Sequence, residues 1–169
     1  MAYTVGDTVI YPHHGAAVIE KTEERDLSGE AREYLVLRLS YGDLTVMVPS
    51  DSCEQVGIRS VISKRQVEQV LEVLREPEPN PNGNWSRRFK ANYEKLRSGD
   101  IFQVAEVVRN LATREKSRGL SAGEKRMLTK AKQILLSELA VAIKKDEQKA
   151  EELVEQVLIE AHNLDVAAS

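Results

Sequence analysis

The chain has 169 residues, 41% of them apolar and 30% charged, with a formal net charge of −3 at pH 7. No apolar run approaches the roughly 20 residues a membrane-spanning helix needs. The first residues lack the basic and apolar regions of a secretory signal, and the single Cys53 excludes an internal disulfide framework or a multi-cysteine zinc site. A cytosolic protein of one medium or two small domains is expected.

The first sixty residues read as β. Val5 to Tyr11 alternates and stops at Pro12-His13-His14-Gly15. Ala16 to Lys21 forms a second strand, and a charged turn containing Ser28-Gly29 precedes a third at Glu33 to Leu39. Tyr41-Gly42-Asp43 turns the chain into Leu44 to Val48, where Pro49 predicts an edge strand, because proline cannot donate to a ladder. Short strands separated by Gly and Asp predict a small barrel or strongly bent sheet. An open edge of such a sheet can pair with a strand of another protein.

From residue 60 the period changes to that of helices. Ser63 and Gln66 make a capping box before Val67, Val70, Leu71 and Leu74. The proline-rich run from Glu76 to Gly83 breaks that helix. A second helix is expected from Trp85 or Ser86 to Ser98-Gly99, with Phe89, Tyr93 and Leu96 on one stripe. A third, capped by Asp100, runs to about Arg118-Gly119. A fourth follows the Ser121–Glu124 capping box through Ile143. Asp146 caps a fifth, and the chain is expected to fray after His162. The fold class is α+β multidomain. A small β-module at residues 1–58 precedes a five-helix domain at 59–164, with a frayed tail at 165–169.

Charge is segregated along the chain. Residues 1–83 carry 8 Lys/Arg against 14 Asp/Glu, residues 84–132 carry 13 against 5, and residues 133–169 carry 3 against 8. A basic block with acidic flanks provides a local phosphate-binding field within an acidic protein. At the head of the block, Asn84-Trp85-Ser86-Arg87-Arg88-Phe89-Lys90 sets the only tryptophan beside three cations. Such a ring can stack on bases or wedge between them. On the fourth helix Arg126 and Lys130 share a stripe that Gln133 continues, and Lys125 and Lys132 form a neighbouring one. No helix shows a base-reading pattern, so backbone and shape recognition is expected.

Other chemistries find little support. His13-His14 has no cysteine or carboxylate at ligand spacing and is better explained as part of a turn. There is no phosphate-cradling glycine loop and no nucleophile elbow. Neither an enzyme nor a cofactor is expected. Tyr3, Tyr11, Tyr34 and Tyr41 can build a methyl-lysine cage or simply pack at core edges. An adaptor whose basic helices meet an acidic protein, without DNA contact, is the alternative to nucleic-acid binding.

Five blocks together are specific: Val5-Gly6-Asp7-Thr8-Val9-Ile10-Tyr11-Pro12-His13-His14-Gly15, Glu33-Tyr34-Leu35-Val36-Leu37, Gly42-Asp43-Leu44-Thr45-Val46, Asn84-Trp85-Ser86-Arg87-Arg88, and Gly119-Leu120-Ser121-Ala122-Gly123-Glu124-Lys125-Arg126-Met127-Leu128. Through them, from about Val5 to Leu158, the sequence resembles the CarD/CdnL family of bacterial RNA-polymerase-binding transcription regulators, its actinobacterial CarD branch above all. The resemblance implies a Tudor-like (SH3-like) N-terminal module that binds the polymerase β subunit, partly by strand pairing. It also implies a helical domain at the upstream edge of the transcription bubble. Trp85 matches a tryptophan that wedges at the minor groove and stabilises the open complex, Lys90 matches a DNA-contacting residue, and Arg25 matches a polymerase contact. At a second polymerase-contacting position relatives usually carry arginine; Met47 there can pack, but a charge-assisted contact is lost. The DNA-facing set is then Trp85, Arg87, Arg88, Lys90, Lys125, Arg126, Lys130 and Lys132, and the polymerase-facing set is Arg25 and Met47. A monomer that reaches the nucleoid through the polymerase is expected.

Overall fold

The computed structural model describes residues 3–26, 29–79 and 83–168, with side chains as far as Ala161. Ser28, the 80–82 part of the proline-rich run and Ser169 lie outside the described residues. The N-terminal part is one antiparallel sheet of β1 (Thr8–Tyr11), β2 (Gly15–Asp26), β3 (Ala31–Leu39), β4 (Thr45–Pro49) and β5 (Arg59–Ser60), in the order β4-β3-β2-β1-β5. This is consistent with a Tudor-like module. β4 is an edge, as Pro49 predicts.

β2 is longer than its apolar stretch suggests. Residues 20 to 26 are nearly all charged, yet they pair with β3 as far as Asp26 opposite Ala31, after an irregularity between Ile19 and Lys21. The charges point into solvent along a projecting hairpin, so they cost the strand little. One face of the sheet packs Val9, Ala17, Ile19, Leu35, Leu37, Leu39 and Val48 around Cys53 and Ile58. Cys53 is a buried packing residue.

Among the described residues there are six α-helices rather than the five expected. The additional one is α1 (Cys53–Val56), a single turn after a 3-10 segment at Ser50–Ser52. Four residues show no apolar period, so no sequence pattern announces it. It ends at Gly57, whose φ of 92° lets its N–H return to the carbonyls of Cys53 and Glu54. The other five are α2 (Lys64–Arg75), α3 (Trp85–Arg97), α4 (Ile101–Ser117), α5 (Ala122–Ile143) and α6 (Glu147–Ala168). Both capping boxes form, and Asn84, Asp100 and Asp146 accept hydrogen bonds from the first turns of α3, α4 and α6. Where fraying was expected beyond His162, α6 remains helical through Ala168; the alanines there favour helix and neither glycine nor proline stops it. One apolar core runs between α2, α4, α5 and α6, with Leu74, Leu111, Leu135 and Leu139 fully buried.

The two parts are joined side to side. Ile10 and Ala16 point away from the sheet core and are buried, and β2 packs on α5. There the Ala16 N–H donates to Ser137 Oγ at 2.9 Å. Gly15 adopts a φ of +85°, and a Cβ on it would stand 2.4 Å from Ser137 Oγ and 3.2 Å from the Ile134 Cα, so only glycine permits this approach. Glu138, with no exposed surface, takes both Arg59 guanidinium nitrogens at 2.7 Å and the Ile62 N–H at 3.0 Å. Tyr41 completes the seam by donating its hydroxyl to Glu147, and burial together with that carboxylate pushes the phenol pKa up. Ser137→Ala would leave the Ala16 N–H unpaired in a buried seam. It is expected to cost about 1–2 kcal/mol in urea unfolding, and an unchanged midpoint would show that the seam contributes nothing there.

Candidate nucleic-acid interface and sheet docking face

α3 places its first turn against the start of α5. The Trp85 ring stacks on Phe89, with centroids 5.0 Å apart and planes at 22°. Phe89 in turn lies on Gly123, where a side chain would meet the ring at 3.3 Å. Trp85 is therefore braced from behind yet remains 45% exposed. Packing behind the ring and solvent in front of it suit a rigid wedge better than a core residue. Below it, Glu124 is buried. Burial alone would raise its carboxyl pKa, but the hydrogen bonds from Ser121, with Trp85 and the Arg114 guanidinium close by, hold it below the usual range. The carboxylate thus fixes the junction of α3 and α5 while its charge is turned inward.

The expected cations divide into two groups. Arg87, Lys90, Lys125 and Arg126 are exposed and Lys130 is half-buried. None of these five makes an ion pair among the described residues. Lys125, Arg126, Thr129, Lys130 and Gln133 line an open concavity of about 310 Å³ on α5. Two others are engaged within the fold. Arg88 folds back onto the Gly83 carbonyl. Lys132, expected in a stripe with Lys125, instead reaches across to Glu155 of α6 at 3.0 Å. Seven residues along a helix is almost two turns, so Lys132 keeps close to the Lys125 stripe but lies about 10 Å farther along α5, where Glu155 of α6 is within reach. Tyr93, expected on one stripe with Phe89 and Leu96, is 44% exposed, whereas Leu96 is buried. Asn92 is buried instead, bonded to Asn110 at 3.1 Å.

The strand register puts Arg25 and Met47 on one face of the sheet. Lys21, Val36 and Met47 form one cross-strand row, Glu23, Tyr34 and Pro49 the next, and Arg25 with Arg32 a third. Paired residues share a face, and this one lies opposite the sheet core. It carries an apolar strip of Val36, Met47 and Pro49 with a charged rim, where Arg25 bonds Glu23 at 3.0 Å and Arg32 bonds Asp51 at 2.7 Å. Neither Val36 nor Tyr34 was assigned to the polymerase-facing set in advance. Their signal is in the sequence: Tyr34-Leu35-Val36-Leu37 is apolar on both faces, where a half-solvated strand would alternate. The four tyrosines considered for a methyl-lysine cage are separated, since Tyr3 and Tyr11 pack on the sheet core and Tyr41 bonds Glu147.

A sheet with an open edge is thus followed by a helical domain with a braced, exposed tryptophan, and known proteins share this two-part order. Residues 3–62 match the family model described as the CarD-like/TRCF RID domain, and residues 69–155 match that of the CarD C-terminal domain. A Bacillus subtilis (strain 168) protein named "Putative transcription factor YdeB" is 36% identical over 139 residues, covering 82% of this chain and 91% of the relative. The chain belongs to the CarD family. It is a transcription regulator of the kind that interacts with RNA polymerase.

Proposed function

We propose that this chain binds the polymerase β subunit through the outer face and β4 edge of its sheet, and sets its α3–α5 face on promoter DNA at the upstream edge of the bubble. Trp85 wedges into the minor groove there and holds the open complex, while Arg87, Lys90, Lys125, Arg126 and Lys130 neutralise phosphates without reading sequence. The observation that carries this is the exposed Trp85 ring, braced on Phe89 beside cations of two helices that make no ion pair among the described residues. DNA affinity can be weak, because docking on the polymerase supplies a high local concentration. One copy suffices for both contacts, so the protein acts as a monomer.

The test is the lifetime of a promoter complex formed by purified polymerase, measured with and without the protein after a competitor challenge. A longer lifetime is expected, and an unchanged one would overturn the proposal. Arg25→Glu is expected to reduce polymerase binding at least tenfold while DNA retardation by the full chain stays within twofold. Arg25 lies on the sheet's outer face, in a strand whose other end meets α5. Equal loss of both activities would mean that the two faces are not separate.

A further inference from the structure

We infer that the DNA track does not end within the helical domain but continues across the seam onto the sheet module, where the β1–β2 turn contributes His14, seated by His13. This rests on the DNA-binding role proposed above. α3 and α5 start together at Trp85 and Gly123, and both lead toward that turn. Residues 85, 89, 93 and 97 recur at helical spacing on α3, and the Arg97 guanidinium sits 5.5 Å from the centre of the exposed Tyr93 ring. On α5 the same direction runs from Arg126 to Lys130. At the end of α3 and midway along α5 stand the two imidazoles, 5.5 Å apart, with His14 also 5.3 Å from Tyr11. Lys130 lies close enough to act electrostatically on both histidines, and Arg97 on His13.

Three features point to a phosphate backbone as the occupant. Arg97 and Lys130 have no ion pair among the described residues, so two cations converge on the turn without a counter-charge. His13 is held at a φ of 69°, and the turn is fixed by the His14 N–H donating to the Tyr11 carbonyl at 3.0 Å. The imidazoles are therefore presented on a rigid base. Burial first, and then Lys130, keeps both histidines below their ordinary pKa. The His13 ring turns toward the Leu96 backbone with its Nδ1 buried, so the N–H that the turn offers to a phosphate oxygen is that of the uncharged His14 ring. From Trp85 to Arg97 the track is about 18 Å long at 1.5 Å per residue, roughly five base-pair steps.

The test uses the full chain and a 30-base-pair duplex of arbitrary sequence, with affinity measured from 50 to 200 mM salt. Arg97→Glu and the double variant His13→Asn with His14→Ala are each expected to weaken binding three- to tenfold. Arg97→Glu should also lower the salt slope by about one. Arg126→Glu probes the face proposed above, and Lys149→Glu on α6 controls for net charge. If Arg126→Glu weakens binding while the Arg97 and histidine variants do not, the extension is overturned and the DNA reading survives. If none of them weakens binding, both fall. An equal loss with Lys149→Glu would make net charge the cause and overturn the extension. The lone Trp85 emission, compared before DNA is added, identifies any variant that has lost its fold, and for such a variant Tyr93→Ala takes its place with the same expected loss.

Discussion

Glu138→Ala is expected to lower stability by about 3 kcal/mol, more than any substitution of an exposed cation in this protein. The carboxylate is fully buried and accepts three hydrogen bonds, two from Arg59 and one from the Ile62 N–H. Removing one member of a buried, hydrogen-bonded ion pair costs about 3–5 kcal/mol. The Arg59 side chain is 31% exposed and can regain water, which places the loss at the lower end. The Ile62 N–H has no such escape, and an orphaned buried donor costs about 1–3 kcal/mol by itself. Thermal unfolding followed by circular dichroism should show the midpoint fall by about 6–12 °C for a chain of this size. Glu138→Gln should recover only part of this, since its amide turns a donor toward a guanidinium that is itself all donors. Adding Arg59→Ala to Glu138→Ala should cost little more than Glu138→Ala alone. Full additivity would show that the two side chains are not coupled.

The second large effect is expected from Trp85→Ala, in function rather than in stability. Half of the ring is already in water, and the stacking lost with Phe89 is worth about 0.5–1.5 kcal/mol. The variant should therefore fold and still bind polymerase. The lifetime of the promoter complex with polymerase is expected to fall by on the order of tenfold, equivalent to about 1.4 kcal/mol. That is a modest share of the few kcal/mol that unstacking a base step costs. Trp85→Phe should retain part of the effect. A Trp85→Ala protein with wild-type promoter lifetime would leave the ring only its packing role, and one that fails to fold would do the same.

Most of the fold is legible in the sequence because it is written in local signals. Ser63–Gln66 and Ser121–Glu124 fix two helix starts by reciprocal hydrogen bonds, and Pro49 marks the sheet edge. Features that depend on partners distant in sequence are less legible. Counting cations between residues 84 and 132 gives a basic block, but Arg109 is buried against Asn110 and Val73, and Lys95 pairs with Glu106. Arg88 and Lys132 are likewise turned inward. A one-dimensional count cannot separate these from Arg126 or Lys130. The seam was invisible for the same reason: Ala16 and Ser137 are 121 residues apart, and nothing near Glu138 in the sequence announces Arg59 as its partner. Trp85 stood out because it is unique, and its brace on Phe89 follows from simple i to i+4 spacing.

The seam between sheet and helices also determines how tolerant the protein is of its surroundings. Two domains on a slack tether sample many separations, and their joint occupancy falls gently as the targets move apart. Here Gly15 sits against the α5 backbone and Glu138 clamps Arg59, so the span from the Met47 face to the Trp85 ring is a single length. Such a molecule behaves as a gauge. If it holds polymerase and DNA together as proposed above, its effect would depend on the distance at which polymerase presents the DNA, and it could not stretch to follow a displaced target as a tethered pair would.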